Sequence, residues 1–184
     1  MKRRFAIPFL ALLGAVSAAR AAEVVIDFEH AEIGKPKATW TDKGVVFQLA
    51  GALTRSKAAG RVMFFPHLAT NHKGILNAMA TEQAIPVQAT FPTSASAVTV
   101  VFWGSTGCPA LLEALDKNGE VVDKASVAAV PGRKAPADPI PFLELTVKAP
   151  EASAIAAIRF SGPRDGEFLA ADEIRITEIR ATSR

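Results

Sequence analysis

The strongest constraint on this chain is the spacing of its apolar residues. From Glu23 to Ile179 short runs rich in Val, Ile, Phe and Thr alternate with Gly, Pro, Asp and Asn. The runs are "VVIDFE" (24–29), "GVVFQL" (44–49), "RVMFF" (61–65), "PVQATF" (86–91), "AVTVVFW" (97–103), "ALLEALD" (110–116), "GEVVDKASV" (119–127), "FLELTVK" (142–148), "AIAAIRF" (154–160) and "LAADEIRITEI" (169–179). Short β-branched and aromatic runs bounded by turn formers are strands, and a long series of them predicts an all-β, two-sheet antiparallel β-sandwich. Several runs alternate strictly. Val98, Val100 and Phe102 oppose Thr99, Val101 and Trp103, Ile158 and Phe160 oppose Arg159, and Phe64 opposes Phe65. "ALDKNGEVV" predicts a hairpin whose turn is Asp116–Gly119, with glycine placed for a positive φ. "NHKGILNAMATEQAIP" (71–86) fits either a short helix or a strand followed by a loop, and the proline-rich 130–141 segment reads as a loop.

Residues 1–21 are set apart. "MKRR" is a basic start, "FAIPFLALLGAVSAA" an apolar stretch, and "ARA" or "VSA" a small-residue cleavage site, which together predict a secretory signal peptide cleaved after Ala21, with Ala18 as the alternative. Residues 22–184 then form one domain, secreted or periplasmic, with no membrane span expected. Lys2, Arg3, Arg4 and Arg20 leave with the signal, so 17 basic residues face 18 acidic ones and the formal charge moves from +3 to −1. The nucleic-acid reading loses its electrostatic support. Cys108 is the one cysteine, so no intramolecular disulfide braces the fold. In the "GSTGCPA" turn it is expected to be a small buried side chain.

The closing run poses the functional question. Ala170, Asp172, Ile174 and Ile176 share one parity, and a strand directs same-parity side chains to one face. An uncompensated carboxylate among isoleucines is costly, so Asp172 is expected to point inward and to have a partner. Candidates are backbone N–H groups or one of Arg61, Arg159 and Arg175.

Three stretches together resemble the galactose-binding-like jelly rolls, which include many secreted carbohydrate-binding modules. They are "VIDFEHAEIG", the central "AVTVVFWGSTGCPALLEALDKNGEVV", and the closing "AIAAIRFSGPRDGEFLAADEIRIT". The resemblance implies a jelly-roll sandwich with its first and last strands side by side. In a subset of that family it also implies a structural calcium held by the positions of Glu29 and Asp172. Calcium takes six to eight oxygens, for which carbonyls of the Glu29–Gly34 loop are available.

Catalytic constellations are not apparent. Glu113 and Asp116 differ in parity, as do Glu120 and Asp123, and Asp165 and Glu167 lie in a glycine-containing loop. His67 and His72 are five residues apart and His30 is remote, a spacing that makes no recognisable zinc site. "WGSTG" is not a nucleophile elbow. The expectation is a non-enzymatic binding domain for a glycan or cell-envelope surface, with Trp40 and Trp103 as the candidate ligand-binding rings. Its rivals are a polysaccharide hydrolase or lyase on the same scaffold, and a structural envelope protein without a small ligand.

Overall fold

The computed structural model describes residues 22–51, 60–67, 70–78, 82, 84–132, 141–151, 153–162 and 167–179. Residues 1–21, where a signal peptide is expected, and the Asp165 half of the Asp165/Glu167 pair lie outside the described residues. So does most of the 130–141 loop.

The elements in chain order are β1 (Glu23–Ile26), β2 (Trp40–Asp42), β3 (Val45–Leu49), β4 (Val62–Pro66), β5 (Lys73–Asn77), β6 (Val87–Gly104), β7 (Ala110–Leu115), β8 (Val121–Val127), β9 (Leu143–Lys148), β10 (Ile155–Ser161) and β11 (Leu169–Glu178). The ambiguous 71–86 segment contributes a strand, β5. The Asp116–Gly119 turn forms as expected. Asp116 Oδ1 accepts from the backbone N–H groups of Asn118 (2.8 Å) and Glu120 (2.9 Å), and Gly119 has φ 81°.

All strand pairings are antiparallel, and β6 organises them. Its 18 residues pair with β3 and β10 near Val87–Thr90, then with β9 and β11 near Ala97–Phe102. One layer is therefore β4–β5–β11–β6–β9, with β1 beside β11. The other is β2–β3–β6–β10–β7–β8. Where the free edges of β8 and β9 meet, Asp123 Oδ2 accepts the Lys148 backbone N–H at 2.7 Å. This is the expected all-β sandwich, with its first and last strands paired from Glu23↔Thr177 to Ile26↔Ile174.

A β-bulge lets β6 serve both layers. Thr177 pairs with Ala97 and Glu178 with Ala95, leaving Ser96 as an extra residue. An extra residue reverses side-chain parity. Inward positions are accordingly odd before it (Val87, Ala89, Ala95) and even after it (Val98, Val100, Phe102). The core between the layers also holds an aromatic group, in which Phe28 lies 5.5 Å from Trp40 and 5.4 Å from Phe47, and Trp40 lies 4.8 Å from Phe64. Phe28 has φ 57°, a conformation that bulky residues rarely adopt, and its fully buried ring compensates the strain.

Candidate functional site

β11 contains a second bulge, at Asp172. Ala171 pairs with Phe102 and Glu173 with Val101, so Asp172 has no partner on β6. Leu169 and Ala171 face the main core before the bulge, and Ile174 and Ile176 face it afterwards. Asp172 is thus not directed inward with the isoleucines, which corrects the parity expectation. It joins Glu173 on the outer face of the layer, since the residues of a bulge do not alternate as regular strand residues do.

His72, just before β5, places Nδ1 3.5 Å from Asp172 Oδ2. None of the three expected arginines fills this role. Arg159 pairs with Glu113 at 3.0 Å, and Arg61 reaches the Pro36 carbonyl at 3.5 Å. Arg175 binds Glu173 (Nε to Oε1, 2.5 Å) and Glu144 (Nη2 to Oε1, 3.3 Å). Asp172 Oδ1 is buried with no hydrogen-bond partner among the described residues. Burial pushes the Asp172 carboxyl above its ordinary value, while His72 and then His67 pull it down and Glu29 adds to the rise.

His67 braces this region. Its Nδ1 accepts the Thr70 backbone N–H at 3.2 Å, and its backbone N–H donates to the His72 carbonyl at 2.7 Å. The fully buried imidazole stacks on Phe142 (centroids 4.8 Å apart, 25° between planes) and meets Trp103 edge-on at 5.2 Å. Phe142 is held on one side, yet 37% of its surface stays exposed. With His72, Glu144, Asp172, Glu173 and Arg175 it lines an open cleft of about 260 Å³ over Val101. A larger depression of about 430 Å³ beside the Asp116–Gly119 turn has no aromatic ring among the described residues that line it.

Both tryptophans are buried. Trp40 is 8% exposed, because β2 pairs Trp40 with Phe47 on β3 and turns the indole into the core; its segment is a strand, not an open loop. Trp103 does lie on the outer face, as its parity with Thr99 and Val101 indicates. There it is 1% exposed under Leu76, Ala170 and Phe168, so it does not line a groove.

The calcium expectation can be tested against the donors present. Glu29 Oε1 accepts the Lys73 backbone N–H at 3.3 Å, and the Lys73 ammonium donates to the Glu29 carbonyl. Glu29 is close enough to Asp172 to act on its titration. Among the described residues no three His, Cys, Asp or Glu side chains form a metal-holding group. Of the six to eight oxygens calcium takes, Glu29 and Asp172 would supply the carboxylates and the Glu29–Gly34 loop the carbonyls, of which the Glu29 carbonyl faces the Lys73 ammonium.

Sequence reasoning missed Phe142, Glu144 and His72. Phe142 and Glu144 share the outward parity of "FLELTVK", which was a usable signal. Nothing in "NHKG" indicated that His72 meets β11.

No known family matches the chain, and no curated protein does. Among solved structures, a family 29 carbohydrate-binding module from Piromyces equi is similar at TM-score 0.49 and 10% identity, over 90% of this chain and 96% of that one. The K2 cleaved adhesin domain of Lys-gingipain is similar at TM-score 0.43 and 17% identity, over 85% and 99%. A family two carbohydrate esterase from Cellvibrio japonicus has TM-score 0.40 and 9% identity, over 86% of this chain and 34% of that one. Similarities this distant carry no argument about function.

Proposed function

We propose that the chain is an exported, non-catalytic domain that binds a glycan in the cleft between β5, β11 and β9. The observation that carries this reading is Phe142, a half-exposed ring fixed from behind by His67 and bordered by charged hydrogen-bonding groups. A sugar ring offers an apolar C–H face to stack on an aromatic ring, and hydroxyls around its edge to pair with carboxylates and guanidinium. Arg175, Glu173 and Glu144 already hold one another in place, so little ordering is left for binding to impose. On a glycan array Phe142→Ala is expected to lose at least about tenfold in affinity, the scale of one lost anchor contact. Wild-type binding that Phe142→Ala does not weaken would sink the reading.

A hydrolase reading draws on one observation, a carboxyl of raised pKa sharing a cleft with other carboxylates. Against it, Glu173 and Glu144 are both engaged by Arg175, and Asp172 Oδ1 is sealed off beneath the cleft. Release of reducing ends from mixed polysaccharides decides between the two.

We also infer that the Lys73 ammonium, rather than calcium, provides the positive charge beside Glu29. Excess EDTA is then expected to leave the melting midpoint unchanged. A fall on chelation, reversed by calcium, would restore the ion.

A further inference from the structure

The same cleft has an uneven charge balance. Glu144, Asp172 and Glu173 line it against one guanidinium, Arg175, with the His72 imidazole beside Asp172. Arg175 is divided between Glu173 and Glu144. One cation shared by two carboxylates leaves the second incompletely compensated, and it contributes nothing to Asp172. The Asp172 side chain is only 9% exposed, and its Oδ1 has no partner among the described residues. A carboxylate out of contact with water is poorly screened, so its charge acts on whatever occupies the space above it.

The cleft's carboxylates therefore outnumber its guanidinium, and it combines that excess with a ring suited to a sugar face. We propose that it selects glycans bearing a protonated amine, such as de-N-acetylated hexosamine polymers, over neutral ones, and rejects uronate or sulfated chains. This rests on the glycan-binding reading and adds the ligand class. An ammonium over the Asp172–Glu144 side supplies balancing positive charge. A carboxylate or sulfate there meets like charge, which costs several-fold to many-fold in affinity.

The test is calorimetric titration of the chain, at neutral pH and low salt, with three probes. They are a β-linked glucosamine oligomer, its N-acetylated twin and an oligogalacturonate, with a lysine-rich peptide alongside. The amine-bearing oligomer is expected to bind about tenfold more tightly than its acetylated twin, with the gap narrowing as salt rises. The uronate is expected to show no binding. Glu144→Gln should shrink the gap and Asp172→Asn should shrink it further. Glu144 is the more exposed of the two, so its variant keeps the test valid if the bulge tolerates no change. Equal affinity for the amine and acetyl forms, still lost in Phe142→Ala, overturns the amine preference and leaves the glycan reading standing. Preference for the uronate overturns it likewise. Binding of the peptide with no glycan bound overturns both.

Discussion

Gly74 on β5 shows how tightly the outer cluster is packed. A Cβ built there would lie 2.9 Å from Trp103 Nε1, 2.9 Å from the Ala170 Cβ and 3.1 Å from the Ala171 carbonyl oxygen. None of these is the free end of a flexible side chain. Gly74→Ala is expected to cost about 1–3 kcal/mol, with about 2–4 °C of melting temperature lost per kcal/mol. Trp40→Ala removes a core ring and is expected to cost about 3–5 kcal/mol in urea unfolding while any surviving glycan affinity stays unchanged. Asp172 gives the pH dependence. Its folded pKa lies above the unfolded one, so its stabilising contribution is present below the ordinary carboxylate pKa and is lost as pH rises through the folded value. Asp172→Asn cannot titrate, and its melting temperature should gain on the wild type between about pH 3 and pH 7. A difference that stays constant across that range would falsify the assignment. Cys108 is fully buried; burial first, and then the charge of Glu167, push its thiol up, which suits the inert packing role its turn suggested.

Strands β6 and β11 show what one added residue does. "PVQATFPTSASAVTVVFW" reads as two strands with a break, because Pro92 and the Ser/Ala-rich stretch look like a turn. The backbone instead continues as one strand, and the Ser96 bulge reverses its parity between layers. Ser96 is secured there by its Oγ–H to the Thr177 carbonyl (3.2 Å) and by the Ala149 N–H to its own carbonyl (2.8 Å). Deleting Ser96 would rotate either the Val87–Ala95 half or the Val98–Phe102 half out of the core. The deletion is expected to abolish cooperative unfolding, and a two-state melt near the wild-type midpoint would contradict the role given to the bulge. In β11 the same device moves Asp172 from the inner face to the outer. Strict alternation predicted Ile174 and Ile176 correctly and Asp172 incorrectly, because a bulge depends on the partner strand's register and leaves no mark in the local pattern.

Across the molecule, the cleft draws on residues distant in the chain. His67 and His72 come from the β4–β5 connection, Phe142 from just before β9, Glu144 from its start, and Asp172 to Arg175 from β11. They meet because β11 lies between β5 and β6, and β6 carries β9 on its other side. Local patterning was sufficient for the strands, the hairpin turn, the inward face of most runs and the all-β class, since each depends on residues within one or two turns of chain. The pairing of β1 with β11 agreed with what the resemblance implied. The site itself was not legible in this way. Trp40 and Trp103 looked eligible as surface rings because exposure is a property of what packs against a residue, and both are covered by segments far along the chain. His72 came to Asp172, and Lys73 to Glu29, through contacts between strands that no spacing records. Side-chain periodicity is local and can be read in one dimension; burial, bulge position and charge balance in a cleft are set by neighbours that only the folded arrangement brings together.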